Sequence, residues 1–155
     1  MLRVVTAELD HPPSRVYPVL ADLGSYAEWM PLVHRVEPAD PAAGPAAAGP
    51  IAEPAWQVTL RARIGPLART KRLRMVRTVA EAHGHVRFER AETDGRSHSA
   101  WIMDGTVTGR DRSRRSSVRI ELRYEGGLWS GALDALLGSS VDDAVDGLRR
   151  RVERG

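Results

Sequence analysis

The feature that most constrains this chain is its C-terminal stretch, Leu128 to Glu153, which reads WSGALDALLGSSVDDAVDGLRRRVE from Trp129 onward. Trp129, Leu133, Leu136, Leu137, Val141, Ala144, Val145, Leu148 and Val152 recur in steps of three and four. That spacing gathers them on one face of a helix. Asp134, Asp142, Asp143 and Asp146 fall mostly on the other side. Gly126 and Gly127 free the backbone just before the helix, and Arg149, Arg150, Arg151 and Arg154 suit its negative C-terminal end. At ~1.5 Å per residue the helix is roughly 37 Å long. A long helix with one apolar face must lie on something, and everything upstream reads mainly as strands. The expectation is an α+β domain in which this helix lies across a curved antiparallel sheet.

The rest of the chain supplies that sheet. Leu2 to Leu9 is a β-branched run and the first strand. Pro12-Pro13-Ser14 stops it and starts a helix over Pro13 to Leu23, because proline is tolerated where a first-turn N–H has no partner. Pro18 removes one backbone bond inside this helix and predicts that it is short or bent. Ser25 to Met30 reads as a second short helix closed by Pro31, and Leu32 to Glu37 as the second strand. Pro38 to Pro54, PADPAAGPAAAGPIAEP, holds too little apolar bulk to offset the cost of ordering. The region at about 38–55 is read as a flexible Pro/Ala-rich hairpin loop inside a single domain spanning 1–155.

Five strands follow. Trp56 to Ile64 alternates cleanly, with Trp56, Val58, Leu60, Ala62 and Ile64 facing one way. Arg69–Glu81, His85–Glu92, Ser99–Gly109 and Ser116–Tyr124 complete the meander, with Asp94-Gly95 as a turn signal. The order is one strand, two helices, six strands and a long helix: about seven strands in a sheet long enough to twist and curl.

Composition narrows the class. The chain has 155 residues, 42% of them hydrophobic and 28% charged, an ordinary balance for a globular domain with its own core. No apolar run approaches the ~18 residues of a membrane span, so stable membrane insertion is not expected. MLRVVTAELD has no signal-peptide core, and a cytoplasmic location is expected. With no cysteine there is neither a disulfide framework nor thiolate chemistry. The formal net charge is +3, acidic residues are interspersed with basic ones, and RNA-binding aromatic signatures are missing, so no nucleic-acid partner is expected. Lys71 is the only lysine; all other basic side chains apart from histidine are arginine.

The N-terminal stretch Ala7-Glu8-Leu9-Asp10-His11-Pro12-Pro13-Ser14-Arg15-Val16-Tyr17-Pro18-Val19-Leu20-Ala21-Asp22-Leu23, the motif YAEWMP at Tyr26 to Pro31 and the C-terminal helix together carry a family likeness. The chain resembles the START-domain or SRPBCC superfamily, the helix-grip fold of the birch-pollen allergen, and within it the bacterial polyketide cyclase/dehydrase and lipid transport group. The likeness covers the chain apart from the Pro/Ala loop. Pro18 and that loop depart from the family pattern. The resemblance implies a deep cavity between sheet and helix, and a superfamily of transporters, receptors and cyclases whose fold does not name the ligand.

Candidate cavity residues follow from alternation and from that implied fold. Arg77 shares a face with Met75 and Val79, and Arg90 with Phe88 and Val86. If those faces are concave, two guanidinium groups point inward and can hold a carboxylate, phenolate or enolate oxygen. Otherwise they reach water or pair with Glu81, Glu89 or Glu92. Trp29, Trp56, Trp101 and Trp129 fall near the core or the cavity mouth, and Trp101 and Trp129 are the first choices for stacking on a ligand. Met103, Tyr124, Leu133 and Leu137 complete the expected lining.

Other chemistries find little support. His83 and His85 flank a turn glycine without a metal-ligand pattern, and no metal or cofactor is expected. His98 lies near Ser97, Ser99 and Asp94 but without a nucleophile elbow. No phosphate-binding glycine loop occurs. Asp104 is a general base only if buried on the inner face, and alternation places it outside.

Two functions remain. The first is binding of a small hydrophobic molecule, such as a lipid, isoprenoid or polyketide-like aromatic, as the chain's partner. The alternative is an aromatase/cyclase-type enzyme promoting aldol closure and dehydration, with Arg77, Arg90 and Tyr124 as candidate catalytic groups. Whether the chain is an enzyme is left open, and so is a homodimer.

Overall fold

The computed structural model describes residues 1–41, 53–64, 66–82 and 84–155, without the side chains of 64, 128–130, 132, 133, 136 and 137. The chain runs β1 (Leu2–Leu9), α1 (Pro13–Ala21), a 3-10 helix (Leu23–Glu28), β2 (Val33–Ala39), β3 (Ala55–Ile64), β4 (Leu67–Glu81), β5 (His85–Arg90), β6 (Trp101–Thr108), a 3-10 turn (Asp111–Ser113), β7 (Ser116–Tyr124) and α2 (Gly127–Arg154). The sheet has seven strands in the order β1-β7-β6-β5-β4-β3-β2, and every neighbouring pair is antiparallel. Both β1 and β3, far apart in that order, touch α2, as does α1. The sheet therefore curls around one helix, which is the helix-grip arrangement.

Alternation built the inner face. Val58, Leu60 and Ala62 on β3, Leu73 and Met75 on β4, Val86 and Phe88 on β5, and Val118 and Ile120 on β7 are all buried. On α2, Leu148 and Val152 are fully enclosed, each worth about 1.5–3 kcal/mol against exposure. A Cβ on Gly147 would stand 2.7 Å from the Trp29 carbonyl oxygen, so this bare helix position is what lets α2 settle on the Trp29 segment.

α1 is short, nine residues around its internal Pro18, and buries Val16, Val19 and Leu20. The second helix is a 3-10 helix rather than an α-helix over Ser25 to Met30. Asp22 caps it by accepting from the Gly24 N–H at 3.0 Å. β2 continues to Ala39, two residues into the expected loop, because Pro38 and Ala39 pair with Trp56 and Ala55 at the sheet edge, where a proline costs no ladder bond. The core of that loop expectation, 42–52, lies outside the described residues. Among the described residues no helix is long and apolar enough to cross a membrane.

Candidate functional site

An apolar cavity of ≈ 70 Å³ lies between the inner face of the sheet and the 3-10 helix. Leu23, Tyr26, Met30, Leu32, Val58, Leu60, Leu73, Met75, Trp101, Met103, Ile120 and Leu122 are among its walls. A second apolar cleft of ≈ 30 Å³ shares Val5, Met30, Leu32 and Ile120 with it and continues under Val141, Ala144, Val145 and Leu148 of α2. The two apolar spaces thus adjoin across these shared walls, one against the 3-10 helix and one against the long helix.

An aromatic row runs past its Tyr26 wall. Trp56 meets Phe88 edge-on at 5.6 Å, Phe88 meets Tyr26 at 6.0 Å, and Tyr26 meets Trp29 at 4.4 Å. Tyr26 is fully buried and donates its hydroxyl to the Leu20 carbonyl at 2.8 Å. Burial pushes its phenol far above the ordinary range, with the nearby Asp22 charge adding to the effect, so it stays a neutral donor. Trp29 donates to the Ser25 hydroxyl at 3.3 Å and is 4% exposed, so it is wedged between Tyr26 and α2 rather than free to stack.

The two arginines singled out from the sequence are committed to the protein. Arg77 donates to the Ala21 carbonyl at 2.9 Å, closing the C-terminal end of α1. A register shift between Arg77 and Val79 lies at this point of β4. Arg90 donates to the Glu92 carboxylate at 2.9 Å and to the Ser99 carbonyl at 3.3 Å, and reaches His98 Nδ1 at 3.4 Å. Neither is among the described residues lining the cavity. Met75, Trp101 and Met103 do line it, Trp29 borders the adjoining cleft, and Trp56 and Phe88 lie in the aromatic row. The side chains of Trp129, Leu133 and Leu137 lie outside the described residues, and so does His83.

Beside the cavity, behind its Trp101 wall, lies a polar group that does not itself line it. Tyr124 and Trp101 face each other across β7 and β6 with ring centroids 4.4 Å apart, and both are 2% exposed. Above them lies Lys71, with Nζ 5.9 Å from the Trp101 ring and 5.8 Å from the Tyr124 ring. β5 stops at Arg90, opposite Met75, while β4 extends back to Leu67. Lys71 lies on that overhang, and its side chain reaches the ring pair. Burial pushes the Lys71 ammonium below the ordinary lysine range and the Arg90 charge adds to this, with Glu92 opposing. The sequence marks Lys71 only as the sole lysine. Its alternation with Leu73 and Met75 was the signal for an inward position.

Two further clusters lie away from the cavity. On the outer face Asp104 accepts from Arg87 Nε at 2.8 Å and Arg87 Nη2 at 3.1 Å, and bonds His85 Nε2 at 2.7 Å. Asp104 faces outward as alternation predicts, yet it is only 8% exposed because these two side chains cover it. Arg74, 5% exposed and also outward, donates to the Ala91 and Asp40 carbonyls at 2.8 Å and pins two loop ends. His98 lies 2.9 Å from both Asp94 oxygens in an exposed loop, and among the described residues it has no hydrogen bond to Ser97 or Ser99 that would make a relay. Among the described residues no group of three or more ligating side chains is placed to hold a metal.

Solved structures share this fold at low identity. The Zhui aromatase/cyclase of a Streptomyces species superposes with a TM-score of 0.64 at 15% identity, covering 99% of this chain and 95% of its own. A START superfamily protein from Mycobacterium smegmatis matches with 0.64 at 12%, over 99% and 97%. A Thermus thermophilus protein matches with 0.67 at 17%, over 99% and 98%. No curated protein shows significant similarity to the chain. The family model described as polyketide cyclase / dehydrase and lipid transport, however, matches residues 2–153, and the chain belongs to that family.

Proposed function

We propose that the chain binds a small hydrophobic molecule in the cavity between the sheet and α2. The observation that carries this reading is a pair of adjoining apolar spaces, one lined by Leu60, Leu73, Met75, Met103 and Ile120 and the other, sharing Ile120, lying beneath α2. Predominantly apolar walls are the usual form of a small-molecule site. Its ≈ 70 Å³ accommodates a handful of waters. A drug-sized ligand needs roughly 300–1,000 Å³. Binding therefore requires the helix side to yield, because the sheet side is fixed by ladder hydrogen bonds and the 3-10 helix by Tyr26 and Ser25.

The alternative is cyclase chemistry, as the name of the Streptomyces protein states for that relative. Here it would have to use groups other than Arg77 and Arg90, which do not line the cavity and are bonded within the protein. The carrier reading is the better supported for that reason.

The test is native mass spectrometry of protein purified without added ligand, followed by organic extraction. A co-purifying lipid or aromatic is the expected result. Empty protein whose melting temperature is unmoved by any apolar ligand overturns the binding reading. Turnover of a polyketide mimic by wild type would put the enzyme reading first.

A further inference from the structure

At the Trp101 wall of the cavity two neighbouring donors are left unused by the protein. Among the described residues Lys71 forms no hydrogen bond or ion pair; it rests on the ring faces of Trp101 and Tyr124. Trp101 is 2% exposed, borders the cavity, and its indole Nε1–H is buried without an acceptor. Leaving such a donor unmet is unfavourable, and buried N–H groups without partners are uncommon. The acids nearby are already engaged. Glu92 accepts from Arg90 at 2.9 Å and from the Arg74 backbone N–H at 3.1 Å. Asp94 is held by His98. Lys71 and Arg90 against Glu92 leave one positive charge in excess beside Trp101.

A cation beside a cavity with no counter-ion, and a buried N–H with no acceptor, describe the same missing partner: an oxygen carrying negative charge. We propose that Lys71 and Trp101 form an anion-recognising end of this site, so that the ligand is an amphiphile with an apolar body and one acidic oxygen group, a carboxylate, phenolate or enolate. This rests on the binding function proposed above and adds the charge of the ligand to it. The apolar body lies along Leu60, Leu73 and Met75, and the head group meets the ammonium at the Trp101–Tyr124 pair. A charge-assisted bond to Lys71 and a second from the indole N–H are worth more here than in water, since the aromatic faces exclude solvent from one side. A neutral ester of the same shape keeps the apolar packing and gives up the charge.

The experiment compares dodecanoate and 2-naphthoate, each against its methyl ester, by isothermal titration calorimetry at pH 7. The acids are expected to bind at least about tenfold more tightly than their esters, the effect of one charge-assisted hydrogen bond. In Lys71→Met the preference falls to within about twofold while ester affinity is kept. Equal affinity of acid and ester for wild type, or a preference that survives in Lys71→Met, overturns the proposal and leaves the cavity reading intact. Binding of neither acid nor ester by wild type removes both. A readout independent of any variant uses the sole lysine: protein carrying 13C at lysine Cε gives a single resonance. That resonance moves on adding acid and stays on adding ester. Movement with both, or with neither while the acid binds, also overturns the assignment.

Discussion

Arg87 and Lys71 sit on neighbouring strands of one sheet, on opposite faces, and the protein treats their charges in opposite ways. Outside, Arg87 makes two bonds to Asp104, and His85 makes a third. Burial acts to push the Asp104 carboxyl up, but the hydrogen bonds from Arg87 and His85 outweigh it and hold the group below the ordinary aspartate range. Inside, Lys71 is destabilised as a cation by burial and by Arg90, and only Glu92 opposes that. The first arrangement accounts for itself as stability. The second, a cation resting on two rings with no ion pair among the described residues, is the ground of the anion-binding proposal.

The sharpest way to break this contrast is Asp104→Ala. It strands Arg87 and His85 without their common acceptor, and a loss of about 2 kcal/mol is expected in urea unfolding, less than for a fully buried pair because both partners are partly open to solvent. A loss below about 0.5 kcal/mol would make the outer network ornamental and undo the comparison.

A smaller effect of the same origin is expected from pH. Asp104 has a folded pKa below its unfolded value, so its contribution is fully present above the ordinary aspartate pKa of about 3.9. That contribution is lost as pH falls from there through the lower folded value. Stability measured from pH 6 down to pH 2.5 should fall more steeply in wild type than in Asp104→Asn, which has no proton to gain. Parallel curves would assign the acid sensitivity to other carboxylates.

Arg77→Ala comes next, at about 1–2 kcal/mol, because it leaves the Ala21 carbonyl at the end of α1 without its donor. The arginine belongs with the structural set, so ester binding should be unchanged in this variant while the melting temperature drops. Weakened ligand affinity at unchanged stability would return Arg77 to the cavity.

Why Arg77 and Arg90 drew attention in the sequence, and Lys71 did not, is a matter of what alternation encodes. Period-two patterning places Met75, Arg77, Phe88, Arg90, Trp101 and Met103 on their strands and gives the sheet, its seven strands and the long helix. It says nothing of what the end of a side chain finds. The Ala21 carbonyl reaches Arg77 because α1 ends there, and Glu92 reaches Arg90 through a loop. The first is a contact between elements that no local pattern carries, whereas the second joins near neighbours in the chain and was among the pairings the sequence left open. Arg74 and Asp104 show the converse: both alternate outward and both are buried, by loop carbonyls in one case and by neighbouring side chains in the other. Lys71 was legible as an inward position but not as an unpaired one, because that depends on β5 ending at Arg90 and leaving Trp101 and Tyr124 within its reach.

The smallest expected effect decides the most. Lys71→Met replaces a half-buried ammonium by a flexible thioether that can rest on the same two rings. Removing the cation–π attraction costs roughly 0.5–1 kcal/mol, and relief of the desolvation of the charge offsets it. Stability in urea unfolding should therefore change by no more than about 0.5 kcal/mol, in either direction. A loss above about 1.5 kcal/mol would mean that the ammonium holds the strand overhang to the ring pair. Lys71 would then join Asp104 and Arg77 among the groups the fold itself uses. Near-neutrality keeps the difference between the two faces: a cation placed beside an apolar cavity at no benefit to the fold, with an acceptorless indole N–H beneath it.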